Sequence, residues 1–493
     1  MQSEVLPSEL QLVPPPTVPQ ARSYMFRQQS ENTEYNLSRG ERIRINIPRL
    51  QRSYLMKDSY IRFRVNIDYT QVANAGLTLD RCGAYGFFDR IEVYDYLGGT
   101  LLEQTQNIPA LATLLGDVNN NLTLFNTKLQ STQGYEGSNV QAGVGELDKY
   151  ELRTCNSGMV IIPFGTTGTA DGYLSLEFSL PVLSFLGIFS DKYIPLHNGF
   201  SVDFFLNDIA SSFVSRTTAA NAATITMKEV WISNFEYCCQ VLELGELAES
   251  MVMATNPFVI HSTQYRYFSD VILGGGNQSS FRMDLNLNVV SLRNIRFNMR
   301  PTDYNSFSNP TYGHRIRNFL QNFNLQYGSS YLPEIAGITC RSSIIPGSRA
   351  GYSVNASIFP GSSDYFKASG NSQSYMELSK TVDDNNEMSI NWGEYRIDLG
   401  STSVSNYAGT LTALVPTFGP DSGMCGKFAA GIDTRLNKKK TISGIDTNGL
   451  LVSINGQFDR DLINSMVQST LDVWAEYDSF LNIIPGVATT TTF

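Results

Sequence analysis

Glu229-Val230-Trp231 and Asp472-Val473-Trp474 are near-copies 243 positions apart, and they hold two of the chain's three tryptophans. Other strand-like phrases recur in the same order. Ile61–Ile67 alternates apolar and polar residues, and Met283–Val289 repeats that pattern 222 positions on. Ile91-Glu92-Val93-Tyr94, with its Leu97-Gly98-Gly99 turn, is matched at an offset of about 232 by Phe323-Asn324-Leu325-Gln326 and Gly328-Ser329-Ser330. Gly199–Phe204 is echoed by Gly449–Ile454 at 250. Strict alternation over such a length marks a strand with one buried face. Four anchors in one order point to an internal duplication, which restricts the chain to folds built from two similar units.

The length agrees, because a single core stops growing near about 250–300 residues and this chain has 493. Only 17% of its residues are charged, while Tyr and Phe number 25 and 28. With abundant Gly, Ser, Asn and Thr, that mixture favours strands joined by turns. The expected organisation is an extended arm over 1–40, a first unit over 41–240, a join over 241–257, a second unit over 258–484 and a tail over 485–493. Pro7, Pro14, Pro15, Pro16 and Pro19 keep the start of the arm out of helices and central strands. One helix is expected at about 109–117, where Pro109 suits a first turn and Asn107 can cap. The join leans helical over 241–251. Residues 388–399 read as the second unit's version of 172–180. That alignment leaves 400–448 as a long projecting loop, carrying Lys438, Lys439 and Lys440 as candidate exposed residues.

The formal charge of −10 is unevenly spread. From Arg22 to Arg64 ten basic residues face four acidic ones, a net of +6 that leaves −16 elsewhere. Arg22, Arg27, Arg39, Arg42 and Arg44 are the candidate contact residues of this stretch. Two readings stand: contact with an anionic partner such as nucleic acid or a membrane surface, and a solvated or intersubunit face paired with acids elsewhere. Cysteines 82, 155, 238, 239, 340 and 425 form no C-x-x-C, which argues against a zinc site or a disulfide framework. Free thiols suit a reducing compartment. No signal-peptide pattern or run of about 18 apolar residues is present. His197, His261 and His314 lack metal-ligand spacing, Gly274-Gly275-Gly276-Asn277 is not followed by Gly-Lys-Ser/Thr, and no G-x-S-x-G occurs. No catalytic residue, metal or cofactor is therefore expected, although a pair of carboxylates brought together by folding is not readable at this level.

The phrase from Phe88 to Glu103 is a strand, a Gly-rich turn and an acidic stop. Together with the order Leu180-Pro181, Leu186-Gly187-Ile188-Phe189, Ile194-Pro195-Leu196, it resembles the double jelly-roll major capsid proteins, closest to the virophage and Polinton-like virus branch. The resemblance spans about 22 to 484. It implies an all-β fold of two tandem eight-stranded jelly rolls, with a short helix in the first and an extended N-terminal arm. It also implies a non-enzymatic virion protein, assembled inside the host cell. Homotrimeric pseudo-hexameric capsomers would tile an icosahedral shell around a double-stranded DNA genome. Implied partners are further copies of the chain, penton and minor capsid proteins, and an inner membrane or the genome through the arm. The alternative is a two-domain β-sandwich protein that binds carbohydrate or a receptor, as a spike does. A secreted β-sandwich hydrolase is a third reading, for which a signal peptide is missing.

Overall fold

The computed structural model describes residues 21–119, 130–134, 159–162, 168–217, 225–254, 258–302, 318–332, 338–339, 430–435, 442–458, 460, 466 and 468–492, apart from 57–58, 74, 81, 191 and 319. Alternating apolar positions produce two similar sandwiches. The first uses β1 (Ala21–Gln29), β2 (Arg42–Ile47), β3 (Tyr60–Gln71), β4 (Phe88–Asp95), β5 (Leu101–Gln106), β6 (Ala170–Pro181), β7 (Phe200–Leu206) and β8 (Thr226–Leu244). They form two antiparallel sheets, ordered β1-β8-β3-β6 and β2-β7-β4-β5. The second uses β9 (Phe258–Ile272), β10 (Ser280–Leu285), β11 (Leu292–Pro301), β12 (Leu320–Tyr327), β13 (Ser330–Leu332), β14 (Ala430–Asp433), β15 (Val452–Phe458) and β16 (Ser469–Ile483). Its sheets run β9-β16-β11-β14 and β10-β15-β12-β13. Each strand of the first roll thus has its counterpart eight strands later, in the same place in the sheet.

Ile43, Ile45 and Ile47 on β2 and Ile61, Phe63, Val65 and Ile67 on β3 face inward and are buried. Between the first roll's sheets, Phe63 stacks on Phe235 at 5.7 Å and meets Phe88 edge-on at 5.3 Å, while Phe204 meets Phe235 at 5.2 Å. Each such pair adds about 0.5–1.5 kcal/mol beyond area burial. Phe297 and Phe323 bridge the second roll's sheets in the same manner at 4.9 Å.

The duplication holds, with one strand reassigned. Trp231 pairs with Asn66 on β3, and Trp474 pairs with Arg296 on β11, so β11 is the counterpart of Ile61–Ile67. Met283 and Leu285 instead lie on β10, where Leu285 pairs with Val452 as Ile45 on β2 pairs with Val202. Alternation is common to all half-buried strands, whereas the partner strand defines a place in the sheet.

The place of 172–180 is held by β14, in which Ile432 pairs with Ile295 as Leu176 pairs with Val65. Residues 388–399 lie outside the described residues. A strand therefore interrupts the loop expected over 400–448. The connection that follows, 434–451, is no longer than the first roll's 182–199. The extra length of the second roll falls before β14. Lys438, Lys439 and Lys440 lie outside the described residues.

The arm expected over 1–40 is strand in its second half. β1 pairs with β8 from Ala21–Leu244 to Gln29–Glu236, and Glu34–Asn36 pairs with β8 farther along. The reason is local: Tyr24 and Phe26 alternate toward the core with no proline between Ala21 and Gln29. Residues 1–20 lie outside the described residues. The expected helix is α1 (Ile108–Asn119). Asn107 does not cap it. Its φ is 51°, and its side chain points to Asp472 of the second roll. A second helix, α2 (Glu246–Met253), occupies the join.

Candidate assembly surfaces and the inter-roll seam

Five arginines were singled out by charge, and the fold divides them. Arg22 on β1 pairs with Glu243 at 2.7 Å, Arg27 on β1 is exposed, and Arg39 lies 3.9 Å from Glu41. Exposed pairs of this kind contribute about 0–1 kcal/mol, so these three remain available to a partner. Arg42 and Arg44 have a structural task. The Arg44 fork donates to both oxygens of buried Asp203 at 2.7 Å, and Arg42 reaches the same carboxylate at 3.2 Å. The hydrogen bond to Asp203 raises the Arg44 pKa. Arg44, Asp203, Glu92 and Gln104 stand directly opposite one another across four strands. Two acids are thus neighbours. Glu92 is held by Tyr94 Oη at 2.6 Å, Gln104 Nε2 at 2.8 Å and Arg90 Nε at 3.2 Å.

The seam between the rolls mixes buried ion pairs with apolar contacts, Ile260, Tyr265, Trp474, Leu481 and Ile483 joining the first roll's cluster. On the second roll's β9-β16-β11-β14 sheet, Leu471, Val473 and Ala475 face that roll's own core. The alternate residues Asp472, Trp474 and Glu476 point outward yet are buried, Trp474 at 1% exposure. Trp474 belongs to the hydrophobic cluster of the first roll. Arg300 donates to both oxygens of Asp472, Tyr267 donates to it at 2.7 Å, and Arg296 lies 3.2 Å from Glu476. From the first roll, Asn107 donates to Asp472 at 3.4 Å, Leu102 O accepts from Gln264 at 3.2 Å, and Phe189 O accepts from Thr263 N at 2.9 Å. The Phe189 and Tyr265 rings meet at 4.9 Å.

Nothing in the sequence matches a family model or a curated protein. Solved structures do match. The Faustovirus major capsid protein is similar over 94% of this chain and 91% of its own, with a TM-score of 0.54 at 8% identity. A chain of the Sputnik virophage is similar over 99% and 92%, with a TM-score of 0.51 at 12% identity. The chain has the fold of the double jelly-roll major capsid proteins.

Within this double jelly roll, three residues that sequence reasoning missed fasten one roll to the other or shape the side that meets it. Asn198 donates to Ile484 O at 3.1 Å and Val487 O at 2.7 Å, and accepts from Gly486 N at 3.0 Å, so it clamps the tail that leaves β16. Thr490–Thr492 then pairs back on β16. Glu249 on α2 is gripped by Tyr54 Oη at 2.9 Å and His197 Nε2 at 2.8 Å, which fixes the join to the first roll. Glu103, on the strand that packs against β9, accepts from Ser184 Oγ and from Phe185 N at 2.9 Å on one oxygen, while its Oε1 has no hydrogen-bond partner. Burial pushes its carboxyl up to about 7, against the pull of those two donors. The sequence signal for Asn198 is indirect: it stands beside Gly199, which the duplication matches with Gly449.

Proposed function

We infer that this chain is a major capsid protein, a structural rather than enzymatic component of a virion. Three copies form a pseudo-hexagonal capsomer, and capsomers tile an icosahedral shell around a DNA genome. The observation that carries this reading is the pairing of two equivalent eight-stranded rolls, fixed to each other by a buried seam. A rigid unit of two similar rolls lets three chains present six alike corners, and threefold assembly from such units is economical in contact types. Likeness of fold to the Faustovirus major capsid protein supports the same reading.

Penton and minor capsid proteins would fill the positions that a threefold tile leaves open. Arg22, Arg27 and Arg39, with residues 1–20, face the genome, an inner membrane or a neighbouring capsomer, and Lys438–Lys440 lie on an exposed loop. The test is mass in solution: a trimer of 54.8 kDa chains runs at about 164 kDa, and a clean monomer at micromolar concentration refutes the capsid reading. Deleting residues 2–20 is expected to spare the trimer and to impair shell formation. Normal particles from that deletion would remove the role of the arm.

A further inference from the structure

Three Asn-Gly dipeptides occur in the sequence: Asn198-Gly199, Asn448-Gly449 and Asn455-Gly456. In such a pair the glycine nitrogen can attack the side-chain carbonyl carbon of the asparagine, because no Cβ shields that nitrogen and the backbone turns freely. Reaction needs the two atoms to meet within about 3–3.5 Å in a suitable orientation. It also needs a side-chain amide that can leave and a main chain that can rotate. The fold grants the three pairs very different freedom.

Asn198 is fully buried and its amide is held at both ends. Nδ2 donates to Ile484 O, Val487 O and Thr489 Oγ1, and Oδ1 accepts from Gly486 N. Gly199 is equally confined, since a Cβ there would lie 2.7 Å from Ile47 O. Asn455 and Gly456 lie within β15, which pairs with β10 on one side and β12 on the other. Asn455 Nδ2 donates to Asn324 Oδ1 at 3.1 Å, and the Phe281 ring covers Gly456. An extended backbone held in ladders on both sides cannot make the required rotation.

Asn448-Gly449 stands where the duplication places Asn198-Gly199, on the connection before its roll's strand, and its surroundings are the opposite. Both residues are exposed. Among the described residues the pair is held only through its backbone nitrogens. Asn448 N donates to Asp446 Oδ1 at 2.9 Å, and Gly449 N donates to Asn288 Oδ1 at 3.4 Å. The second bond is long, and its acceptor belongs to an exposed residue. Gly449 has a φ of 71°, and nothing lies within 4 Å of where its Cβ would be.

We propose that Asn448 is a self-modification site, at which Gly449 N attacks Asn448 Cγ within the folded chain. The bond from Gly449 N to Cγ forms as that nitrogen gives its proton to solvent base. The Cγ–Nδ2 bond breaks, and ammonia leaves with a proton taken from water. Water then opens the resulting five-membered imide at one of its two carbonyls. One opening gives aspartate and the other isoaspartate, in which the main chain runs through Cγ. Water is the only other reactant. Either product adds a negative charge beside Asp446, and isoaspartate lengthens the main chain by one methylene, next to Leu450 and Leu451, which are 43% and 54% exposed. This corner of the second roll changes charge and course irreversibly with age, while the matching corner of the first roll, which clamps the tail, keeps its amide. The inference is independent of the capsid reading.

The test is incubation of the folded full chain in mildly acidic and mildly alkaline buffer, followed by peptide mapping with fragmentation to place each change. Every conversion raises the mass by one dalton, and chromatography separates isoaspartyl from aspartyl peptides. Asn448 is expected to convert at least tenfold faster than Asn198 or Asn455, and faster in alkali, because the attacking nitrogen must lose its proton. In urea all three are expected to convert at similar rates. Equal rates in the folded chain overturn the proposal, and so does a folded-state ranking that persists unchanged in urea. Asn448→Gln keeps an exposed amide but sets its carbonyl carbon one bond farther from Gly449 N. That variant is expected to fold as wild type and to lose the mass gain at this position at least tenfold, and an undiminished gain would overturn the mechanism.

Discussion

Glu103→Gln is expected to stabilise the chain above neutral pH and to weaken it slightly in acid. Glu103 is 3% exposed, and two donors meet one of its oxygens while none meets the other. Burial lifts its pKa from the ordinary 4.5 to about 7. Between those values the folded state keeps the proton that the unfolded state has lost. Stability from this group is therefore fully present below pH 4.5 and falls as pH rises to 7. At about 1.4 kcal/mol per unit, the loss by pH 8 is about 3 kcal/mol. Glutamine escapes it, because its carbonyl accepts from Ser184 and Phe185 at every pH. Its amide nitrogen then stands where Oε1 has no partner, which costs about 1 kcal/mol. The net is a gain of about 2 kcal/mol at pH 8 and a loss of about 1 kcal/mol at pH 4. Urea unfolding of both proteins at the two pH values, followed by tryptophan emission, measures the difference. Other carboxylates titrate alike in both and cancel. Parallel pH curves for wild type and variant would refute the reasoning.

Three further outcomes are expected. Asp203→Ala strands two arginines, but Arg44 and Arg42 are 34% and 47% exposed and rehydrate, and the neighbouring Glu92 loses a repelling charge. The cost is therefore about 1–2 kcal/mol rather than the 3–5 of a fully buried broken pair, and urea titration showing more than 3 would mean the arginines are desolvated. Asn198→Ala removes the clamp on the tail, so amide exchange at 486–492 is expected to rise at least tenfold while exchange in β7 stays unchanged. Gly199 and Gly449 both have a φ of 71°, yet a methyl at Gly199 would sit 2.7 Å from Ile47 O, while at Gly449 nothing lies within 4 Å. Both alanine variants bear the left-handed penalty of about 1–2 kcal/mol. Only Gly199→Ala adds a backbone clash, and equal melting temperatures for the two would contradict this.

The strands were legible because burial against a roll's own core imposes a two-residue period on the sequence, as at Ile43, Ile45 and Ile47 or Ile61 to Ile67. Place in the sheet was not, since β3 and β10 carry the same alternation and differ only in their partners. The seam was hidden for a related reason. Asp472 and Glu476 sit at alternate positions that a sandwich leaves to solvent, and what buries them is the other roll. The basic stretch misled in part because charge counts do not distinguish Arg44, locked on Asp203, from exposed Arg27.

Charged pairs on the first roll's open face keep it compatible with water. An apolar sheet face open on a free chain would invite collapse onto any other apolar surface. On the first roll's open face the charges are already satisfied among themselves, Arg62 and Arg64 on Glu177 and Lys228 on Asp171. Such a face is soluble alone and carries little energy of its own. On the second roll's covered face the ion pairs contribute register more than strength, since buried ion pairs offset their desolvation only with good geometry. The aromatic pair at its centre supplies the burial, Trp474 with Tyr267 at 5.5 Å. The near-identical Glu229-Val230-Trp231 and Asp472-Val473-Trp474 thus hold equivalent places, the first half-buried and the second covered by the other roll.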